Sequence, residues 1–141
     1  MPAGPDWKVL GLELAYELAQ WLPAQSTGQP GAPYTYGKEI KSHQFTELPE
    51  KQFNVRSTGG FITRGQVISN PTILVEVRDV SLPGALIGCK WIIGLLDKQM
   101  PSLPSLAMLF YWQSHETFYR EQNRRIMVPL YFTTLGTAKL V

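Results

Sequence analysis
Apolar residues recur at three- and four-residue steps in two stretches of the chain and at two-residue steps in several others. In the first stretch Trp7, Leu10, Leu14, Leu18 and Trp21 form one stripe, with Ala15 and Leu22 beside it. That spacing predicts an amphipathic helix over Asp6–Leu22, capped by Asp6, with Glu13, Glu17 and Gln20 on its wet face and Pro23 ending it. In the second, Leu82, Ala85, Leu86, Cys89, Ile92, Ile93 and Leu96 form a continuous stripe. Ser81 is placed to cap this helix, with Pro83 in its first turn and Asp97–Pro101 closing it. Just before it, Pro71–Arg78 alternates as a strand does: Ile73, Val75 and Val77 share one face, and Leu74, Glu76 and Arg78 the other. The apolar strand face and the helix stripe are each other's natural cover. This unit is the expected core, and each larger side chain fully buried there contributes roughly 1.5–3 kcal/mol.

The remaining pattern is mostly of strand type. Phe53–Ser57 reads as a strand, Thr58-Gly59-Gly60 as a turn and Phe61–Ile68 as a further extended ribbon, with a short strand around Ile40–Thr46. Leu106–Gln113 reads as a strand buried on both faces, Ala107, Leu109 and Tyr111 opposing Met108, Phe110 and Trp112. Thr117–Arg120 and Arg125–Thr134 form a predicted hairpin around Glu121–Arg124, with Ile126, Val128, Leu130 and Phe132 facing one way. Pro129 assigns that strand to an edge or a bulge, and Gly136 opens a short tail. Between the first helix and the strands lies Pro23–Gly37, with three prolines and three glycines. It reads as an extended arm, and Tyr34 and Tyr36 suit docking on a neighbouring chain. The whole predicts a single domain over 1–141 of class α+β: a mostly antiparallel β-sheet with two helices packed on one face, plus the Pro/Gly-rich arm.

Composition narrows the function classes. The hydrophobic share is 44% and the charged share 17% in 141 residues. A domain of this length builds a real core, and so little charge leaves neutral surface for a partner. Net charge is only +2, which argues against a general polycation for nucleic acid. Residues 1–50 carry three lysines against six carboxylates, a net of −3, leaving +5 for the remainder. Such a split suits head-to-tail contact between copies. Cys89 is the single cysteine, so neither an intramolecular disulfide nor a cysteine zinc site is expected, and its place on the stripe makes it a small buried hydrophobe. No run of about 18 apolar residues predicts a membrane span, and no secretory signal pattern is present. The expectation is a soluble protein made in the cytoplasm, without a membrane partner.

Residues arranged for chemistry are few. His43 and His115 are the two histidines, and they do not stand at metal-ligand spacing. Thr58-Gly59-Gly60 lacks the lysine of a phosphate loop, and no Gly-x-Ser-x-Gly elbow exists. The expectation is no enzyme, no cofactor, no metal and no catalytic residue. Arg120, Arg124 and Arg125, with Phe118 and Tyr119 beside them, read either as a nucleic-acid patch or as a charged hairpin tip. A ring that lets DNA slide through would be served by such a mild lining.

In order along the chain stand Leu48-Pro49-Glu50, Phe53-Asn54-Val55-Arg56-Ser57-Thr58-Gly59-Gly60, Asn70-Pro71-Thr72-Ile73-Leu74-Val75-Glu76-Val77-Arg78, a helix, and the Arg120–Phe132 hairpin. This order resembles the tail-terminator, or minor capsid (neck), proteins of long-tailed bacteriophages, over about residues 6–22 and 48–134. The resemblance implies a structural virion protein, assembled in the host cytoplasm. It would form a ring, typically a hexamer, at the head-proximal end of the tail tube. The ring stops tube growth and joins the head connector while DNA passes through its lumen. Implied partners are further copies of itself, the tail tube protein and the head-tail connector or adaptor proteins. Tyr34, Tyr36, Thr58, Gly59, Gly60, Arg120, Arg124 and Arg125 are the expected interface residues. Other readings are a different neck or tail component, such as a tail-completion or head-tail adaptor protein, or a small nucleic-acid-binding module.

Overall fold
The computed structural model of the chain describes residues 10–26, 35–36, 52–59, 71–113, 117–121 and 124–138. In chain order these form helix α1 (Leu10–Ser26), strands β1 (Thr35–Tyr36), β2 (Gln52–Gly59) and β3 (Thr72–Asp79), helix α2 (Leu82–Leu96), and strands β4 (Leu106–Gln113), β5 (Tyr119–Arg120) and β6 (Ile126–Ala138). The strands make one sheet in the order β1-β2-β3-β6-β4, with β5 also paired to β6. Every pairing is antiparallel except that of the two-residue β1 with β2. This is the expected α+β architecture.

Both helices lie on one face. Leu14, Leu18 and Leu22 of α1 and Ala85, Cys89, Ile92 and Leu96 of α2 share one buried cluster with Phe53, Ile73, Val75, Val77, Met108, Phe110, Val128, Leu130 and Phe132. The strand members sit at alternate positions, as a single sheet face requires. Helix α1 lies over β1 and β2, and α2 over β3, β6 and β4. Helix α2 begins as its sequence predicts: Ser81 Oγ accepts the Gly84 N–H at 3.2 Å, satisfying one otherwise orphaned donor. At its other end the Asp97 N–H reaches the Ile93 carbonyl at 2.8 Å, and Asp97 Oδ1 accepts from the Trp112 N–H at 3.0 Å. Lys98 takes a left-handed φ of 59° and bonds the Phe110 carbonyl. The end of α2 is thereby stitched to the outer edge of β4.

Several expectations are corrected. Pro23 does not end α1, which runs on to Ser26, so the predicted arm starts as helix. An interior proline costs about 3 kcal/mol, but the same turns bury Leu18, Ala19 and Leu22, each leucine contributing roughly 1.5–3 kcal/mol. Thr58 and Gly59 belong to β2, where the register shifts between Ser57 and Gly59, rather than to a turn. Strand β4 is buried on one face only, because it lies at a sheet edge and the second helix covers just one side. Gly136 opens no tail: β6 continues to Ala138, and Gly136 pairs with Met108. Pro129 is more instructive. It lies inside the sheet, paired with Glu76 of β3. On its other side, however, β5 pairs with residues 126–127 and β4 with residues 131–138. Pro129 falls in the interval, where neither ladder needs its missing N–H. The expected strands at Ile40–Thr46 and Phe61–Ile68 lie outside the described residues.

The stripe of α2 is narrower than the sequence suggests. Leu86 is 45% exposed, while Ala85, Cys89, Ile92 and Leu96 are buried. Leu86→Ala should therefore leave the urea midpoint nearly unchanged, whereas Ile92→Ala should lower stability by roughly 2–5 kcal/mol. Equal losses would contradict the helix's facing.

Cys89 is shielded as predicted, and burial pushes its thiol up to about 12. The folded state holds this proton to higher pH than the unfolded chain does. Above the ordinary thiol range the unfolded state binds fewer protons, so stability must fall as pH rises. The slope reaches roughly 1.4 kcal/mol per pH unit from one group. Between pH 9 and 10.5 the native chain should lose more stability than its Cys89→Ala variant. Parallel pH profiles would show that the thiol is solvated.

Gly136 is demanded by strand approach. A Cβ built there would lie 2.0 Å from the Ala107 carbonyl oxygen and 2.7 Å from Met108 Sδ. The first neighbour is backbone and cannot swing aside. Gly136→Ala should destabilise by about 1–3 kcal/mol or more, and by more than Gly11→Ala, whose Cβ meets chiefly the movable Ser57 Oγ. Thermal midpoints of the two variants test this ranking.

Candidate functional site
The outer sheet face, opposite the helices, carries most of the described charge pairing. Glu76 and Arg78 of β3 alternate with Ile73, Val75 and Val77, so their side chains emerge on the side away from the core. Both are nevertheless buried. Arg56 of β2 reaches Glu76 at 3.2 Å, and Arg78 reaches it at 3.4 Å. Arg78 Nε also donates to both oxygens of Glu121, at 3.0 and 3.1 Å. Glu121 sits in the turn between β5 and β6, where its N–H bonds the Arg125 carbonyl and its carbonyl accepts from the Arg124 N–H. The network thus straps the hairpin onto the central strands.

The three arginines of the hairpin part company. Arg120 and Arg124 are exposed, and Arg124 occupies a left-handed turn position with φ 65°. Arg125 is buried, at 5% exposure. Desolvation lowers its pKa; the nearby Glu121 carboxylate pulls the other way and Arg78 adds to the lowering. A guanidinium held inside in this way belongs to the fold of the hairpin rather than to an open cationic patch. The other predicted interface residues lie apart from these. Thr58 is exposed, its Oγ1 donating to the Thr72 carbonyl at 3.4 Å. Thr72 pairs with Thr133, whereas the hairpin pairs near Ile126, so Thr58 and Gly59 stand at the opposite end of the strands from Arg120. Tyr36 lies in β1, opposite Phe53. Tyr34 and Gly60 lie outside the described residues.

Two surfaces escaped the sequence reading. One is the solvent stripe of α1. Leu12, Tyr16, Gln20 and Ala24 recur every four residues and are all exposed, Leu12 at 64% and Tyr16 at 67%. A helix's solvent face normally carries charge, and this one carries none. The two acids of α1 are turned to one flank. There Glu17 accepts from the Ser105 N–H at 3.0 Å and from the Ser105 hydroxyl. The four-residue step from Leu12 to Tyr16 was visible in the sequence, but the buried stripe beside it drew the helix assignment.

The other is a cleft of about 390 Å³ between α2 and the sheet, closed at one end by the residues before β5. Leu82, Leu86 and Ile93 line the helix side, and Trp112, Phe118 and Leu130 the sheet side. Lys90 is the single charged lining residue. Leu86 and Phe118 are exposed at its mouth. No local motif encodes this cleft, because its walls come from segments that meet only through the order of the sheet. Among the described residues no group of three or more His, Cys, Asp and Glu side chains gathers into a cation site, and no helix is long and apolar enough to cross a membrane.

No family model and no curated protein matches the chain. Among solved structures, a chain of the "Virion of native gene transfer agent (GTA) particle" is similar to it, with a TM-score of 0.58 and 10% sequence identity. The match covers 94% of this chain and 100% of that one. At this identity the likeness is one of fold, and that fold extends over the whole of a virion subunit.

Proposed function
We propose that the chain is a structural subunit of a phage-like virion. It assembles with further copies into a ring, six by the resemblance of its motifs, at the head-proximal end of a tail tube. There it ends the tube and meets the head connector, while DNA passes through the lumen without specific binding. The observation that carries this reading is the fold shared with a full-length subunit of a gene transfer agent virion. The order of motifs from Leu48 to Phe132 supports the neck position within such a particle. The uncharged stripe of α1 and the apolar cleft beside α2 supply surfaces that a lone subunit would leave wet. The work is done by interface burial, not by catalysis. The rival reading as a nucleic-acid module weakens with Arg125, since two exposed arginines remain at the hairpin. Light scattering on the purified protein should give a mass several times that of one chain, and electron micrographs should show rings, with tail tubes carrying one at a single end. A monomer at all concentrations that binds DNA in a salt-dependent way would overturn the proposal.

A further inference from the structure
We infer that the contact joining neighbouring copies is a helix in a groove: the α1 stripe of one copy seats in the α2 cleft of the next. The inference rests on the ring reading above and names the surfaces that would build the ring.

Three observations point to a second copy as the occupant. First, the stripe and the cleft lie toward opposite ends of the sheet. Helix α1 covers β1 and β2, with a groove beside Leu12 and Tyr16 that is floored by Val55 and Ser57 of β2. The cleft is walled by α2, β4 and β6 at the other end. A contact between two different patches at opposite ends of the sheet is heterologous, and a heterologous contact builds a ring where its rotation closes and an open filament where it does not. Second, the surfaces match in chemistry. Leu12 and Tyr16 stand one turn apart, the spacing of anchors in helix-in-groove recognition, and the cleft offers Leu86, Ile93, Trp112 and Phe118. Third, the charges complement. Helix α1 has no cation, and its two acids lie on the flank beside the stripe, Glu17 bonded to Ser105. The cleft side carries exposed Lys90, with Arg120 and Arg124 on the adjoining hairpin. Arg56 lines the groove beside the α1 stripe, where its guanidinium is held by Glu76 at 3.2 Å.

The test uses one variant on each surface. Leu12→Glu spoils the stripe and leaves the cleft intact; Leu86→Glu does the reverse. Both positions are exposed, so both variants should keep the native thermal midpoint. Should either fail to fold, Tyr16→Lys and Phe118→Glu take their places. Each variant alone should sediment as a monomer under conditions where the native protein forms its ring. Mixed in equal amounts, they retain one good stripe and one good cleft between them. The mixture should therefore form dimers, and dimers only, because each pair ends in two spoiled surfaces. Either folded variant still assembling like the native chain would overturn the inference and leave the ring reading standing, its contact being elsewhere. A mixture that stays monomeric would overturn it likewise. A native protein that is monomeric at every concentration would overturn the ring reading itself, and with it this contact.

Discussion

Replacing Arg78 with alanine should lower the stability of the fold by roughly 3–5 kcal/mol, the range for removing one partner of a buried ion pair. Its side chain is 8% exposed and its guanidinium reaches two carboxylates at once, Glu76 at 3.4 Å and Glu121 at 3.0 Å. Without it Glu76 keeps Arg56, but Glu121 loses a donor shared by both its oxygens, and the hairpin loses its strap to β3. The loss would come from the stranded charge more than from the missing attraction. A double replacement, Arg78→Met with Glu121→Leu, should therefore recover much of the stability, since burying an apolar pair avoids desolvating two ions. Urea denaturation of the single and double variants decides the matter. A loss under about 1 kcal/mol for Arg78→Ala would mean that the network behaves as a solvated surface pair.

Phe132→Ala should cost about 3–5 kcal/mol by emptying the centre of the core. Phe132 is fully buried on β6, a strand paired on both sides, opposite Ile73 on one side and Trp112 on the other. Its ring meets that of Phe110 edge to face, with centroids 6.2 Å apart and planes at 72°. This geometry sets the positive edge of one ring against the negative face of the other and adds about 0.5–1.5 kcal/mol beyond area burial. A double-mutant cycle with Phe110→Leu and Phe132→Leu should return a coupling of that order. If Phe132→Ala were tolerated with a loss below about 1 kcal/mol, the helices would not be closing over this face.

The alternation of Ile73, Val75 and Val77 against Leu74, Glu76 and Arg78 was readable in the chain, and so was the cap at Ser81, because each rests on neighbours within a few residues. The hairpin around Glu121–Arg124 was readable for the same reason. What the chain hid depends on distant partners. Glu76 and Arg78 sit where a strand's wet face should be, and only the hairpin 43 residues further on explains their burial. Leu86 has the spacing of a core residue but stands at the mouth of the cleft between α2 and the sheet, 45% exposed. Arg125 looks like its neighbours Arg120 and Arg124 until the turn directs it inward. Pro129 suggested an edge or a bulge, yet it lies inside the sheet, at a gap between two partners of one strand. For the proposed contact, Leu12 and Tyr16 were in view, but their exposure depends on which side of α1 the sheet takes.

That gap beside Pro129 marks how the sheet is spliced together, and the splice bears on the order of folding events. Strand β6 holds β3 along one side and β5 and then β4 along the other. It is the last described strand in the chain, yet β3 and β4 have no ladder to each other without it. As the chain is synthesised, β2 and β3 can pair and α2 can form before β6, the partner of β4 among the described strands, has been made. Pairing β3 with β6 must then close a loop of some fifty residues, an entropic cost met before any contact returns it. Such non-local pairing slows the rate-limiting step. Residues 126–138 therefore act as a clasp: without them β2 and β3 on one side and β4 on the other share no ladder among the described strands.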